Sequence, residues 1–184
     1  MKPAAFKYAL PKTLEEALAL KAEHGDEATF LAGGQSLIPA MNFRLAQPGV
    51  LIDINALDEL AFIRRDEASG ELHLGALTRH RDLQFDPTIA AAQPLLHETA
   101  PNVAHPQVRN RGTLCGNLAH ADPASEFPAV MLALNARLRL QSAAGERWLP
   151  AEDFFVSVFT TARGDEEMLT EVALPAALSG TGTA

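Results

Sequence analysis

Apolar residues recur in two different patterns along this chain, and the change comes near residue 57. Before it, short apolar runs alternate with one amphipathic helix. Phe6-Lys7-Tyr8 reads as a short strand that Pro11-Lys12 ends. Thr13-Leu14-Glu15-Glu16 is a capping-box start, a hydroxyl at the cap and a glutamate three residues on. Leu14, Ala17, Leu18 and Lys21-Ala22 then share one helical face, and Gly25 supplies the stop. Ala28 to Leu31 reads as a buried strand, followed by two glycines and a short helix to about Asn42. After the turn Gln47-Pro48-Gly49, Val50 to Ile54 is a strong strand. This order predicts a small α/β unit over residues 1–57.

From Leu60 the elements shorten. Leu60 to Arg64 and Glu71 to Leu74 read as strands around the turn Asp66-Glu67-Ala68-Ser69-Gly70. Thr78 is placed as a helix cap with Asp82 four residues on. Asp86-Pro87 starts another helix, running through the alanines at 90–92, and Pro94 to about Asn102 reads as one more. Residues 105–112 are polar and basic without a clear period, and a helix starts at Ala124-Ser125-Glu126. Arg137 to Gln141 alternates like a strand, turns at Ala143-Ala144-Gly145 and returns through Arg147-Trp148-Leu149. Pro150 to Phe155 is a short helix or turn, and Leu169 to Leu174 is a last strand that Pro175 ends. The expectation is a larger α+β unit over residues 58–176. Residues 177–184 read as a flexible tail or as the start of a further, C-terminal domain.

Charge and cysteine content narrow the class. The formal charge is −8 with both signs scattered and no basic stripe, so nucleic acid is not an expected partner. Cys115 is the single cysteine, which excludes an intrachain disulfide and fits a reducing cytoplasm. No run reaches the ~18 to 20 apolar residues of a membrane helix. The N-terminus lacks the apolar core of a signal peptide. Six histidines are scattered without a close ligand pair, so no metal site is expected.

Two glycine turns are the candidate chemistry. Ala32-Gly33-Gly34-Gln35-Ser36-Leu37 stands between a strand and a helix, where glycine lets the backbone bend and approach a ligand. It reads as a phosphate cradle or as an ordinary strand-to-helix turn. Thr113-Leu114-Cys115-Gly116-Asn117, about 80 residues later, is a second such turn, with its helix expected downstream at Ala124. The two either face one ligand from opposite sides or are independent loops. No Walker or Gly-x-Gly-x-x-Gly pattern is present, so neither a P-loop nor a Rossmann site is supported.

Ala32-Gly33-Gly34-Gln35-Ser36-Leu37-Ile38-Pro39, with Arg44-Leu45-Ala46 and Leu51-Ile52-Asp53-Ile54, resembles the first FAD loop of the molybdenum hydroxylase flavoproteins. Gly75-Ala76-Leu77-Thr78-Arg79-His80, Val108 to Thr113 and Cys115 to Glu126 match the same family in the same order. The resemblance is to the FAD-binding medium subunit of carbon monoxide dehydrogenase and xanthine dehydrogenase type enzymes. It implies an α+β, PCMH-type (vanillyl-alcohol-oxidase-like) FAD-binding fold, in which a small α/β and a larger α+β subdomain clasp one FAD. By similarity, Ala32, Gly33, Gly34, Gln35, Ser36 and Leu37 would wrap the pyrophosphate. Thr113, Leu114, Cys115, Gly116 and Asn117 would hold it from the other side. Glu126 would lie near the adenosine ribose or phosphates, and Val103 and Leu169 would line the adenine or the flavin. Asp122 would hydrogen-bond near the second loop.

The resemblance further implies an electron-transfer subunit without catalytic acid or base of its own. It would serve a small iron–sulfur subunit carrying [2Fe-2S] clusters and a large molybdopterin subunit, in a dimer of heterotrimers. Relatives usually continue for about another hundred residues, so the chain reads as one lacking that C-terminal domain. The competing expectation is a flavin-free scaffold that only docks partner subunits. Cys115 stands where the family often has glycine and adds bulk and a redox-sensitive thiol. His120 is read as a loop residue bonded to backbone or as a proton carrier. Arg109 and Arg111 are read as phosphate or partner contacts or as ion pairs within the core.

Overall fold

The structure is a computed structural model that describes residues 2–177. The expected tail therefore lies, from residue 178 on, outside the described residues.

The first sheet is parallel. It is built from β1 (Lys7–Ala9), β2 (Ala28–Leu31) and β3 (Val50–Asp53) in the order β1-β3-β2, with α1 (Leu14–His24) and α2 (Leu37–Asn42) as connections. Thr13 caps α1 as its sequence requires, its hydroxyl accepting the Glu16 amide at 3.2 Å. Ala28, Val50 and Ile52 turn into the main core with Ala17 and Leu18 of α1. Lys21, on that same buried face, directs its ammonium to the carbonyls of Gly25 (2.7 Å) and Ala28 (2.8 Å).

The second sheet has five antiparallel strands in the order β4-β5-β10-β6-β7. These are β4 (Ile63–Arg65), β5 (Leu72–Gly75), β6 (Arg137–Ser142), β7 (Gly145–Pro150) and β10 (Met168–Leu174). Between β5 and β6 run α3 (His80–Phe85), α4 (Pro87–Ala92), α5 (Pro94–Thr99), α6 (Pro106–Arg109), α7 (Leu114–His120) and α8 (Glu126–Ala133). A short α9 (Ala151–Phe154) leads to the hairpin β8 (Phe155–Ser157) and β9 (Thr160–Thr161). Every residue of β10 is buried. Thr170 interrupts its register, so that Leu169 pairs with Leu140 and Glu171 with Arg139.

Several expectations need correction. Leu60 lies in a 3-10 turn, Asp58–Leu60, and the strand begins at Ile63. Thr78 does not cap the next helix: its hydroxyl donates to the Phe62 carbonyl at 3.1 Å. The helix starts after Arg79, whose amide is taken by the Asp82 carboxylate at 2.9 Å. The aperiodic stretch 105–112 contains α6, which the burial of Arg109 fixes. Its guanidinium donates to the carbonyls of Pro101, Val103 and Ala104 and to Gln84 Oε1, which is polar stapling of the core and not an ion pair. Thr113 to Asn117 is not a free turn ahead of a helix at Ala124. It is the first turn of α7, because the Thr113 hydroxyl accepts the Gly116 amide at 3.2 Å.

Candidate functional site

A cleft of about 630 Å³ opens where β2 and the loop after it face α7 and β10. Its walls are mostly apolar, with Phe30, Leu31, Val103, Val108, Met168 and Leu169 among them. That size and lining suit a mid-sized ligand with flat rings. Of the sequence-selected residues, Ala32, Gly33, Gly34, Gln35, Ser36, Leu37, Val103, Thr113, Cys115, Gly116, Asn117 and Leu169 line it. Leu114 is buried in the core instead. Asp122 accepts the Ala124 amide at 2.9 Å, and Glu126 is exposed at the start of α8; neither is on the cleft wall.

The two glycine segments touch. A β-carbon on Gly33 would lie 2.4 Å from the Arg111 carbonyl oxygen and 2.8 Å from the Gly112 Cα, so only glycine allows this approach. Gly34 has φ +71°, the left-handed region that side chains avoid. Polar bonds lock the contact. Asn55 donates to the Ala32 carbonyl at 2.8 Å, and Arg79 joins Asn55 Oδ1 and the Arg111 carbonyl, both at 2.6 Å. Asn55 is itself fixed by Asp53, which also accepts the Tyr8 hydroxyl. Burial opposes ionisation of Asp53, yet the Tyr8 and Asn55 bonds outweigh it and hold the carboxyl below its usual range. Burial, then the charge of Arg111, lowers Arg79 from its ordinary value.

The amide inventory separates the two segments. Among the described residues, the amides of Gly33, Gly34, Gln35 and Ser36 donate to no protein acceptor. In α7 most are spent: Leu114 donates to the Thr78 carbonyl, Gly116 to the Thr113 hydroxyl and Asn117 to the Thr113 carbonyl. Asn117 still has a free side-chain amide, since only its Oδ1 is taken, by the Ser125 hydroxyl at 2.8 Å. A diphosphate needs several acceptor-seeking donors in one concave run, and the first loop supplies them. The residues present therefore fit a dinucleotide: uncommitted amides for the diphosphate, apolar walls for the rings.

Other groups on the wall, Cys115 apart, were not singled out as cofactor-binding residues by their sequence context. His80 donates from Nε2 to the Thr113 carbonyl (3.0 Å), while its Nδ1 is buried without a partner. Burial drives its pKa down to about 4, so the ring is neutral near pH 7. Lys21, Asp26, Arg163, Asp165 and Glu167 line the far end. A lysine on the apolar face of α1 was the available signal for that polar end. His120 reaches the cleft and packs its ring on Phe159, 5.1 Å between centroids, in place of the expected backbone bond. Cys115 is buried, and burial, followed by the charge of Glu171, pushes its thiol far above the ordinary range. That corrects the expectation of a redox-sensitive group. Among the described residues no cluster of His, Cys, Asp or Glu is placed to hold a metal ion. No helix there is long and apolar enough to cross a membrane.

Comparison with known proteins agrees with this geometry. A family described as "FAD binding domain in molybdopterin dehydrogenase" matches residues 4–177. The 6-hydroxypseudooxynicotine dehydrogenase complex subunit alpha of Paenarthrobacter nicotinovorans is 46% identical over the whole chain, which spans 62% of that protein. The carbon monoxide dehydrogenase medium chain of Hydrogenophaga pseudoflava is 43% identical, again over the whole chain and 63% of that protein. Among solved structures, the carbon monoxide dehydrogenase of Hydrogenophaga pseudoflava lacking the Mo-pyranopterin moiety superposes with a TM-score of 0.96 at 44% identity, covering 100% of this chain and 63% of its own. Quinoline 2-oxidoreductase from Pseudomonas putida 86 gives 0.92 at 40% identity, over 96% of this chain and 61% of its own.

Proposed function

The chain belongs to the family of FAD-binding domains of molybdopterin dehydrogenases, and from that membership we propose that it binds FAD in the cleft and serves electron transfer in a multi-subunit oxidoreductase. The observation that carries the reading is the run of uncommitted amides from Gly33 to Ser36 beside an apolar cleft of about 630 Å³. The Gly33–Ser36 amides take the diphosphate oxygens. Val103 and Leu169 line the ring of the adenine or flavin, and Thr113, Cys115, Gly116 and Asn117 close the opposite wall. The residues of 1–57 and of 58–176 form the two subdomains that clasp the cofactor. FAD, when bound, supplies the acceptance and release of electrons, and the protein orients it and shields it from water. No side chain in the cleft is needed as acid or base on an organic substrate.

The proposed partners are a small subunit with [2Fe-2S] clusters and a large molybdopterin subunit, in a dimer of heterotrimers in the cytoplasm. Support comes from the names of the relatives, which are medium chains or subunits of complexes. Equilibrium dialysis of FAD against the purified chain, read by the visible flavin bands, tests the assignment. Saturable uptake near one FAD per chain is expected. Absence of uptake together with retained association with partner subunits would replace this reading with that of a docking scaffold.

A further inference from the structure

We propose that Arg111 is an anion clamp beside the glycine loop, where it neutralises the diphosphate of a dinucleotide held by the Gly33–Ser36 amides; this rests on the FAD reading above. A second hollow, about 350 Å³, adjoins the same loop. Leu31, Ala32, Gly33, Gly34 and Gln35 border both hollows, so the two share the loop. Arg111 lines only the second one.

Arg111 has two arginine neighbours, Arg109 in sequence and Arg79 through its carbonyl, and the commitments of the three differ. Arg79 is spent on Asn55 Oδ1 and the Arg111 carbonyl. Arg109 is buried and spent on Gln84 and three carbonyls. The Arg111 side chain is exposed and makes no hydrogen bond or ion pair among the described residues. Asp53 influences it through space, but that carboxylate is already bonded by Tyr8 and Asn55. The main chain of Arg111 is nonetheless fixed, pinned by Arg79 and pressed against Gly33. A free cation on a fixed stem, beside four free amides, on a chain of charge −8, matches a ligand carrying two adjacent negative charges.

The test is titration of the 184-residue chain and its Arg111→Gln and Arg111→Lys variants with FAD, ADP and riboflavin, at low and high NaCl. Arg111→Gln is expected to weaken FAD and ADP by about ten- to a hundredfold and to flatten the salt dependence. Arg111→Lys should restore the salt-sensitive part. Riboflavin, which lacks phosphate, should bind all three proteins alike. Equal binding of FAD by the wild type and Arg111→Gln would overturn the clamp and leave the FAD reading standing. Parallel loss of riboflavin would also overturn it, because a merely structural defect would then be the cause. Failure of the wild type to bind FAD would remove both.

Discussion

The Cα of Gly33 faces the carbonyl of Arg111 so closely that a β-carbon on Gly33 would meet its oxygen at 2.4 Å. That obstacle is backbone, pinned by Arg79, and it cannot rotate aside. Gly33→Ala must therefore part the two loops. We expect a loss of about 1–3 kcal/mol in stability and at least about tenfold in FAD affinity. Gly34→Ala meets only side-chain atoms, Leu31 Cδ1 at 3.0 Å and Ile38 Cγ1 at 3.1 Å, but takes a φ of +71°. Its cost should be nearer ~1–2 kcal/mol. Thermal unfolding and FAD titration of the two variants give the ranking, and an equal or milder effect at Gly33 would contradict it.

Arg79 ties both glycine segments to Asn55, so its loss should be felt at several places at once. Arg79→Met is expected to destabilise the fold by about 1–3 kcal/mol. Hydrogen exchange should quicken in peptides covering residues 111–114, whose amides at Arg111, Gly112 and Leu114 are hydrogen-bonded. The double variant with Asn55→Ala should cost less than the two singles together, by at least ~0.5 kcal/mol, because they share one bond network.

His80 makes the fold sensitive to acid. Its folded pKa, about 4, lies below the value of about 6.5 expected for an unfolded histidine. Between those values the unfolded chain binds the extra proton and the folded one does not. Stability is thus full above about pH 6.5 and falls by about 3 kcal/mol as pH drops to about 4. Protonated Nδ1 would then be a second donor, and in the structure Nδ1 has no acceptor. His80→Gln keeps a donor for the Thr113 carbonyl and should flatten the melting temperature between pH 4 and 6.5.

Cys115 should be inert despite its place on the cleft wall. Native protein is expected to react with a disulfide reagent at least about a hundredfold more slowly than the chain unfolded in guanidinium. A fast native reaction would show that the buried thiol becomes exposed.

Much of this architecture could be read from local chemistry. Thr13 with Glu16, Asp86 before Pro87, and the apolar run Val50 to Asp53 each announce their element, and the structure has a helix or strand at each. What could not be read depends on distant partners. Nothing near Arg109 shows that four carbonyl-type oxygens from residues 84 to 104 will bury it and fold 106–109 into a helix. Gly116 and Asn117 are poor helix formers. They become helical because the Thr113 hydroxyl caps them and Leu114, Cys115 and Leu118 are buried. The glycine loop was visible as a sequence, but its function as a wall was not. That depends on Arg79 and Asn55, which are 24 residues apart and far from both glycine segments in sequence.

The middle strand of the larger sheet, Met168–Leu174, is made after both strands that it pairs with, Leu72–Gly75 and Arg137–Ser142. Without this strand the two halves of the sheet have no partner in common. Leu169, a wall of the cleft, is part of it. The sheet and that part of the cleft wall therefore depend on one and the same closing strand.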